Sequence, residues 1–366
     1  MKLKNASAAF ALLGASALVL SGCAAAPEEE PAATSTATAT ESEAPAETID
    51  FLACAVSDEG SWNDKSFNES VYDGMLMAES QLGVQIAEAE SNSAEDFQPN
   101  LQAMVDQACD ITFAVGFNLV ADVNAIAAAN PDLSFVTIDG WSEGNANLKP
   151  VVYNMAESSY LAGYVSAAYS TSKVVGTYGG LQIPAVTDFM DGFYYGAMAW
   201  GEENGVEVTV VGWDPMAQTG QFIGDFVPNS GTSKSIAAAL VNEGADVIFP
   251  VGGDQFGATS EALREAGVVG GAMVGVDKDV ALTSPEYAEF VLTSAEKRMT
   301  NAVYDIIAEL SAGGAFNGDA YVGTLANGGT GLSPFYEFDS KIDDATKARL
   351  AELEAAIIAG ELDPKS

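Results

Sequence analysis

Continuous apolar runs and one-sided apolar helices alternate along this chain, and the pattern starts at residue 49. The run over residues 49–56 is apolar at nearly every position, which is typical of a parallel strand covered on both faces. Residues 58–64 are polar, and a helix with one apolar face is predicted over residues 66–82. Ser66 and Glu69 have the spacing of a capping box, which marks the start of that helix.

The same alternation continues through two successive parts of the chain and predicts two similar lobes, each with a parallel sheet. Further strands are predicted at 84–87, 111–115, 133–138, 174–178, 206–211, 246–251 and 272–276. Helices are predicted at 96–108, 119–129, 189–203, 235–242, 259–266, 296–310 and 345–359. Two late strands, 290–294 and 321–325, would return to the lobes and carry the chain between them several times, as in a hinge.

These patterns give predicted domain boundaries. The first lobe comprises residues 49–155 and 278–316, and the second comprises residues 156–277 and 317–366. The fold class predicted from the residues is therefore α/β, with two Rossmann-like lobes.

The amino terminus has the pattern of an export signal. Residues 1–22 combine a positive start with an apolar stretch too short to span a bilayer comfortably, and they end in Leu-Ser-Gly before Cys23. That ending resembles a bacterial lipobox, in which the cysteine thiol receives a lipid; an ordinary cleavage site with an incidental cysteine is the alternative. Residues 23–48 contain almost nothing to bury and are predicted to be a disordered tether.

Composition narrows the classes of function. The 366-residue chain has 14 Lys plus Arg against 52 Asp plus Glu, a net charge of −38. Nucleic acid is excluded as a partner because its phosphates require a basic surface. The chain contains no His, which excludes Ser-His and Cys-His catalysis and most zinc sites.

Two further cysteines lie near predicted strands of the first lobe. Cys54 lies in the first strand and Cys109 directly precedes the strand at 111–115. First and third strands are neighbours in a doubly wound sheet, and an exported protein could oxidise the pair. A disulfide is the favoured interpretation, with two buried thiols as the alternative.

Acidic residues follow three predicted strands. Asp58, Asp139 and Asp277 each stand at the carboxyl end of a strand, where open α/β sheets bind ligands. Asp is also a common turn residue, and Asp64 in the first loop could be simply solvated. Carboxylates accept paired hydrogen bonds from vicinal hydroxyls, so a sugar or nucleoside suits such a crevice better than an anion.

Aromatic, glycine and lysine residues complete the candidate site. Phe67 could belong to the core or could stack on a flat ligand. Gly252 and Gly253 follow another strand and allow close approach to the backbone, with Phe256 nearby. Lys297 is predicted to open a helix, where a cation is disfavoured by the helix dipole, which suggests a function, although simple solvation is the alternative.

The segment DEGSWNDKSFNESVYDG resembles the signature of the basic membrane protein lipoproteins, which are purine-nucleoside receptors of ABC transporters. Weaker matches follow in order over nearly the whole mature chain: Tyr160-Leu-Ala-Gly-Tyr164, Gly179-Gly180, Phe189-Met-Asp-Gly-Phe193, Gly244-Ala-Asp-Val-Ile248, Val274-Gly-Val-Asp277 and Leu292-Thr-Ser with Lys297. The chain departs from the family pattern at Trp62-Asn63 and at Asp254-Gln255-Phe256.

The resemblance implies a type I periplasmic-binding-protein fold that closes around a nucleoside. It implies that Phe67 stacks on the base, that Asp58 and Asn68 address its edges, and that three residues hold the ribose, namely Asp139, Asp277 and Lys297. A second stacking aromatic should face Phe67; Phe256 is the leading candidate, followed by Phe249, Phe189 and Trp62.

The function expected is a lipid-anchored, monomeric receptor on the outer face of a bacterial plasma membrane. It would need no cofactor and would deliver a nucleoside, with a purine base, to an ABC permease served by a separate ATPase. The alternatives are a receptor for a sugar or signalling molecule and a nucleoside-cleaving enzyme on the same fold.

Overall fold

The computed structural model describes residues 48–366. The predicted signal sequence, Cys23 and all but the last residue of the predicted tether lie outside the described residues. Within residues 48–366, no helix combines the length and apolar character needed to cross a bilayer.

Strands and helices alternate over most of the described chain, close to the predicted positions. The strands are β1 Leu52–Val56, β2 Gln85–Ala89, β3 Ile111–Val115, β4 Ser134–Ile138, β5 Leu148–Tyr153, β6 Val174–Gly179, β7 Thr209–Val211, β8 Trp213–Asp214, β9 Thr219–Gly220, β10 Val247–Val251, β11 Ala272–Asp277, β12 Val291–Lys297, β13 Tyr321–Gly323 and β14 Thr330–Leu332. The helices are α1 Phe67–Leu82, α2 Phe97–Asp106, α3 Val120–Ala129, α4 Met155–Tyr169, α5 Pro184–Asn204, α6 Gly231–Asn242, α7 Phe256–Glu265, α8 Val280–Thr283, α9 Met299–Ser311 and α10 Asp344–Ile358.

Two six-stranded sheets share one topology. Their orders are β13-β5-β4-β3-β1-β2 and β14-β12-β11-β10-β6-β7, so each lobe repeats the same doubly wound arrangement. All neighbours are parallel except β14, which runs antiparallel to β12. Every residue of β3 and of β10 is buried, as expected for central strands with helices on both faces. The predicted α/β fold class is confirmed.

The chain crosses between the sheets three times. It leaves the first sheet after β5, returns after β12 through α9 to β13, and crosses again to β14. Two late strands lie in the opposite sheet from the one that the predicted boundaries gave them. The strand predicted at 290–294 is β12, which pairs with β11 in the second sheet, and the strand predicted at 321–325 is β13, which pairs with β5 in the first. The sheet that each of these late strands joins is set by the crossovers of the chain, which the local pattern does not reveal.

The first and third strands of the first lobe are adjacent, as predicted, since β1 pairs with β3. Cys54 on β1 and Cys109 before β3 form a disulfide, with 6.0 Å between their Cα atoms. The bond closes a loop over a sequence separation of 55 residues, which restricts the unfolded chain and so stabilises the lobe.

Candidate ligand-binding site

A cleft lies where the carboxyl ends of strands from both sheets meet. It holds about 780 Å³ of empty space, including its open mouth. Nine of the ten predicted ligand-binding residues line it, and Phe256 does not. Those nine are Asp58, Asp64, Phe67, Asn68, Asp139, Gly252, Gly253, Asp277 and Lys297.

Asp64 organises the first turn of α1. Its carboxylate accepts hydrogen bonds from the backbone N–H groups of Ser66, Asn68 and Glu69 at 2.9–3.0 Å. Burial raises the pKa of Asp64 to about 7, against the effect of these three bonds. The predicted capping box is therefore wrong: Ser66 is the N-cap residue, but its side chain makes no capping hydrogen bond, and the carboxylate of Asp64 accepts these N–H groups in its place. The helix ends at Gly83 in the left-handed conformation, with φ 74°.

The Ser66 hydroxyl instead reaches across to the second lobe. It donates a 2.7 Å hydrogen bond to Oδ2 of Asp277, the last residue of β11. Asp277 is only 6% exposed, and burial raises its pKa, opposed by the charge of Lys297 and by the bond from Ser66. Asp277 has φ 66° and Asp139, directly after β4, has φ 57°. Asp tolerates this left-handed conformation better than most residues, so both lobes turn sharply at matching strand ends.

Lys297 is the last residue of β12 and does not open a helix as predicted, since α9 begins at Met299. It is 2% exposed, and its ammonium lies 2.6 Å from Oδ2 of Asp139. The same ammonium lies 5.4 Å from the ring centre of Phe67 and 5.1 Å from that of Phe189. A cation so placed is stabilised by both its carboxylate partner and the aromatic faces. Strand and helix propensities alone did not separate the end of β12 from the start of α9.

Asp58 and Asn68 form the other polar end of the cleft. Nδ2 of Asn68 donates a 2.7 Å bond to Oδ1 of Asp58, and the Gly60 N–H donates a 3.0 Å bond to the same atom. Oδ1 of Asn68 is buried and accepts no hydrogen bond within the described residues. Burial raises the pKa of Asp58. A Cβ at Gly116, the residue after β3, would lie 2.6 Å from Oδ2 of Asp58, so glycine is required there for the carboxylate to fit.

The second lobe contributes aromatic residues to the cleft, but Phe256, the leading candidate for the second stacking residue, is not among them. Phe226 and Phe189 line the cleft together with Gly252 and Gly253. Gly180, after β6, carries no side chain and so leaves room for the ring of Phe226 against it. The prediction of Phe256 as a stacking residue is wrong, because its ring is fully buried at the start of α7.

Two of the other aromatic candidates also lie off the cleft. Phe249 packs against Phe189 and Phe193 in the core. Trp62 stacks on Tyr72, and its indole N–H donates to Glu88 at 2.8 Å. Trp62 therefore shapes the loop before α1 and does not line the cleft.

Several polar and aromatic residues that line the cleft were absent from the predicted binding residues. These are Phe117, Asn118, Phe226 and Asp254. Asp254 follows Gly253 at the end of β10, so the rule that identified the other strand-end acids could have found it. Phe226 lies in an irregular segment between β9 and α6, where no periodic pattern marks it.

Three lysines link the two lobes by ion pairs. Besides Lys297 with Asp139, Lys278 contacts Glu69 at 2.7 Å and Asp73 at 2.8 Å on α1. Lys65, before α1, contacts Glu286 at 3.1 Å. The lobes are thus held in contact through charge pairs as well as through the Ser66 bond.

Two lobes of equal topology, three crossovers and a cleft at the strand ends define a type I periplasmic-binding-protein fold. Solved structures agree on the fold: an ABC transporter system solute-binding protein from Aeropyrum pernix K1 superposes with a TM-score of 0.76 at 22% identity, covering 86% of this chain and 92% of that one. The chain belongs to the Bmp family, described as ABC transporter substrate-binding protein PnrA-like, whose model matches residues 51–362.

Relatives of this chain are similar to it over most of their length. The ABC transporter nucleoside-binding protein BmpA of Lactococcus lactis subsp. cremoris is 30% identical over 86% of this chain and 88% of that protein. An uncharacterized lipoprotein of Pyrococcus abyssi is 26% identical over 81% of this chain and 74% of that protein. These similarities confirm the predicted family.

Proposed function

We propose that this protein is a lipid-anchored receptor that captures a nucleoside, with a purine base, and delivers it to an ABC permease served by a separate ATPase. The observation that carries the proposal is the convergence of nine predicted residues on one cleft. They place an aromatic ring between two groups of polar side chains. A nucleoside has a matching arrangement, with the polar edge of the base, its flat ring and the ribose hydroxyls in succession. The nucleoside-binding relative supports the ligand class.

Each part of the cleft has a role in this proposal. Phe67 stacks on one face of the base, and Phe226 is the second aromatic in place of Phe256. Asp58 and Asn68 accept hydrogen bonds from the base edge. Because the paired hydroxyls of a ribose donate to carboxylates, Asp139 and Asp277 bind the sugar with Lys297 beside them.

Ligand contacts with both lobes explain how capture could be signalled to a permease. Phe67 and Asp58 belong to the first lobe, whereas Asp277 and Lys297 belong to the second. A ligand that touches both lobes binds the closed arrangement more tightly than an open one, and this difference in affinity shifts the population toward closure.

Binding and turnover assays with the purified protein distinguish the three candidate functions. Calorimetric titration with inosine, guanosine and adenosine should give saturable binding, and incubation with inosine should release no free base. Release of free base would identify an enzyme instead. Tight binding of a free sugar without binding of nucleosides would identify a sugar receptor. Mass spectrometry of any small molecule that copurifies with the protein would name the ligand directly.

Asp277→Ala should weaken binding of a ribonucleoside by about tenfold, the equivalent of ~1.5 kcal/mol for a hydrogen bond to a charged group. Binding of the matching free base should change by less than about twofold, because the base lacks the ribose hydroxyls that donate hydrogen bonds to Asp277. Calorimetric titration of both ligands provides the comparison. Equal losses for the two ligands would contradict the role of Asp277 in ribose binding.

Cys23→Ser should release the protein from membranes into the soluble fraction. The hydroxyl of Ser cannot form the thioether through which a lipid is attached, so the variant would lack its anchor. Fractionation of cells and immunoblotting measure the distribution, and Ser35→Ala in the predicted tether is the control for a substitution close to the anchor. Unchanged membrane retention of Cys23→Ser would show that the lipobox interpretation is wrong.

A further inference from the structure

A buried glutamine joins two separate pieces of the second lobe beside the cleft. Gln255, directly before α7, is 0% exposed. Its Nε2 donates 3.0 Å hydrogen bonds to the carbonyl of Gly252, after β10, and to the carbonyl of Val227, in the irregular segment before α6. Val227 directly follows Phe226, the second stacking aromatic of the proposed function.

We propose that Gln255 is a positioning residue, which fixes the ring of Phe226 for stacking on the base. Phe226 lines the cleft and Gln255 does not, so Gln255 acts through its neighbour and without contact with the ligand. The inference rests on the proposed function and adds to it a residue of the second lobe outside the cleft.

The strap that carries Phe226, residues 224–229, is tied to its lobe at three points. At its amino end, the N–H of Gly224 donates to the carbonyl of the residue after β6 at 2.9 Å. At its carboxyl end, the N–H of Asn229 donates at 2.9 Å to a carbonyl in the loop after β10. Between these ends, in the part of the chain that the structure describes, only the bond from Gln255 ties the strap's backbone to the rest of the lobe.

Packing does little to hold the strap between its ends. Phe226 is half-buried, and the other five residues of the strap are exposed. A segment with so few buried apolar contacts opens readily unless hydrogen bonds hold it. The bond at Val227, one residue beyond the aromatic ring, therefore decides how precisely that ring is placed.

Gln255 is itself held rigidly. Its backbone carbonyl accepts hydrogen bonds from the N–H of Thr259 at 3.1 Å and from the hydroxyl of Thr259 at 3.0 Å. Its Oε1 is buried and accepts no hydrogen bond within the described residues. An unsatisfied buried acceptor is unfavourable, so the lobe carries a cost in stability at the side chain that ties the strap, as other proteins do at functional sites.

A double-mutant cycle tests the positioning role. Gln255→Met keeps the length of the side chain and removes its donors, and it should weaken guanosine binding about tenfold, the factor for one lost hydrogen bond. In the Phe226→Ala background the same change should cost less than about twofold, because no ring remains to be positioned. Calorimetric titration of the four proteins with guanosine gives the comparison. Equal losses in the two backgrounds would overturn the inference and identify a purely structural role.

Hydrogen exchange followed by mass spectrometry tests the anchoring without any ligand. The strap's N–H groups should exchange about five- to tenfold faster in Gln255→Met than in wild type. Gln182→Met is the matched control: the exposed Gln182 donates a 2.8 Å bond to the carbonyl of Gln218, outside the strap. This control should change neither the exchange of the strap nor the affinity for guanosine. Unchanged exchange of the strap in Gln255→Met would overturn the inference.

A second variant keeps the test decisive if Gln255→Met does not fold. Gln255→Asn retains a polar amide but is one methylene shorter, so it cannot keep both bonds. It should show the same faster exchange of the strap and the same dependence on Phe226, and wild-type exchange with wild-type affinity would overturn the inference. Failure of wild type to bind any nucleoside, with faster exchange of the strap in the variants, would overturn the proposed function while the anchoring by Gln255 stood.

Discussion

Lys297→Met should lower the free energy of unfolding by about 3–5 kcal/mol, the range found when one partner of a buried ion pair is removed. Lys297 is 2% exposed and lies 2.6 Å from Asp139. Met fills most of the same volume among Phe67 and Phe189, so loss of packing contributes little. The cost arises because the carboxylate of Asp139 is left at a desolvated position between the lobes. Urea unfolding followed by circular dichroism measures the change.

Two further variants test this explanation. Combining Lys297→Met with Asp139→Asn removes the uncompensated charge, and Asn accepts the left-handed backbone at position 139, so the double variant should recover much of the lost stability. Lys234 pairs with Glu261 and Glu265 at the surface, and Lys234→Met should cost at most about 1 kcal/mol. If Lys297→Met were no more destabilising than Lys234→Met, the buried pair would not contribute to holding the lobes together.

Phe67→Ala should weaken nucleoside binding by about 1–3 kcal/mol, or roughly 5- to 150-fold. Phe67 begins α1 and lines the cleft, and its ring supplies a face on which a base can stack. Alanine keeps the helix but removes that face. Calorimetric titration with a nucleoside measures the loss, and titration with free ribose should show no comparable effect.

Matched aromatic variants separate stacking from general damage to the fold. Phe67→Tyr retains the ring and should bind nucleoside within a fewfold of wild type. Phe256→Leu alters a buried ring outside the cleft, so it should lower stability while leaving affinity nearly unchanged. Intact nucleoside affinity in Phe67→Ala would show that Phe67 does not stack on the base and would favour its interpretation as a core residue.

The periodicity of apolar residues was sufficient to predict the α/β class and most of the strands and helices. Buried parallel strands are apolar throughout and helices are apolar on one face, so the local sequence carries the information that distinguishes them. Strands β3 and β10 were predicted almost to the residue for this reason. The acids at the strand ends were predicted as well, because the carboxyl ends of parallel strands lie on one side of a sheet whatever the details of packing.

Other features depend on contacts between residues far apart in the chain. Ser66 has the local pattern of a helix cap, yet its hydroxyl is taken by Asp277, 211 positions away, and Asp64 caps the helix in its place. Lys297 was predicted at a helix start and lies instead at the end of a strand. Local propensity cannot decide such cases because the competing partner belongs to the other lobe.

The sequence by itself thus determined the class of fold, the family resemblance and one wall of the cleft, since the segment over residues 50–78 contains a strand, a binding loop and a helix in succession. Only the tertiary structure decided which aromatic residue lies on the opposite wall. Phe226 belongs to an irregular segment and reaches the cleft through its packing beside Gly180, whereas Phe256, with the more suggestive local sequence, is buried in the second lobe. Which aromatic faces a ligand depends on how the segments pack together, and that information is not present in any local stretch of the chain.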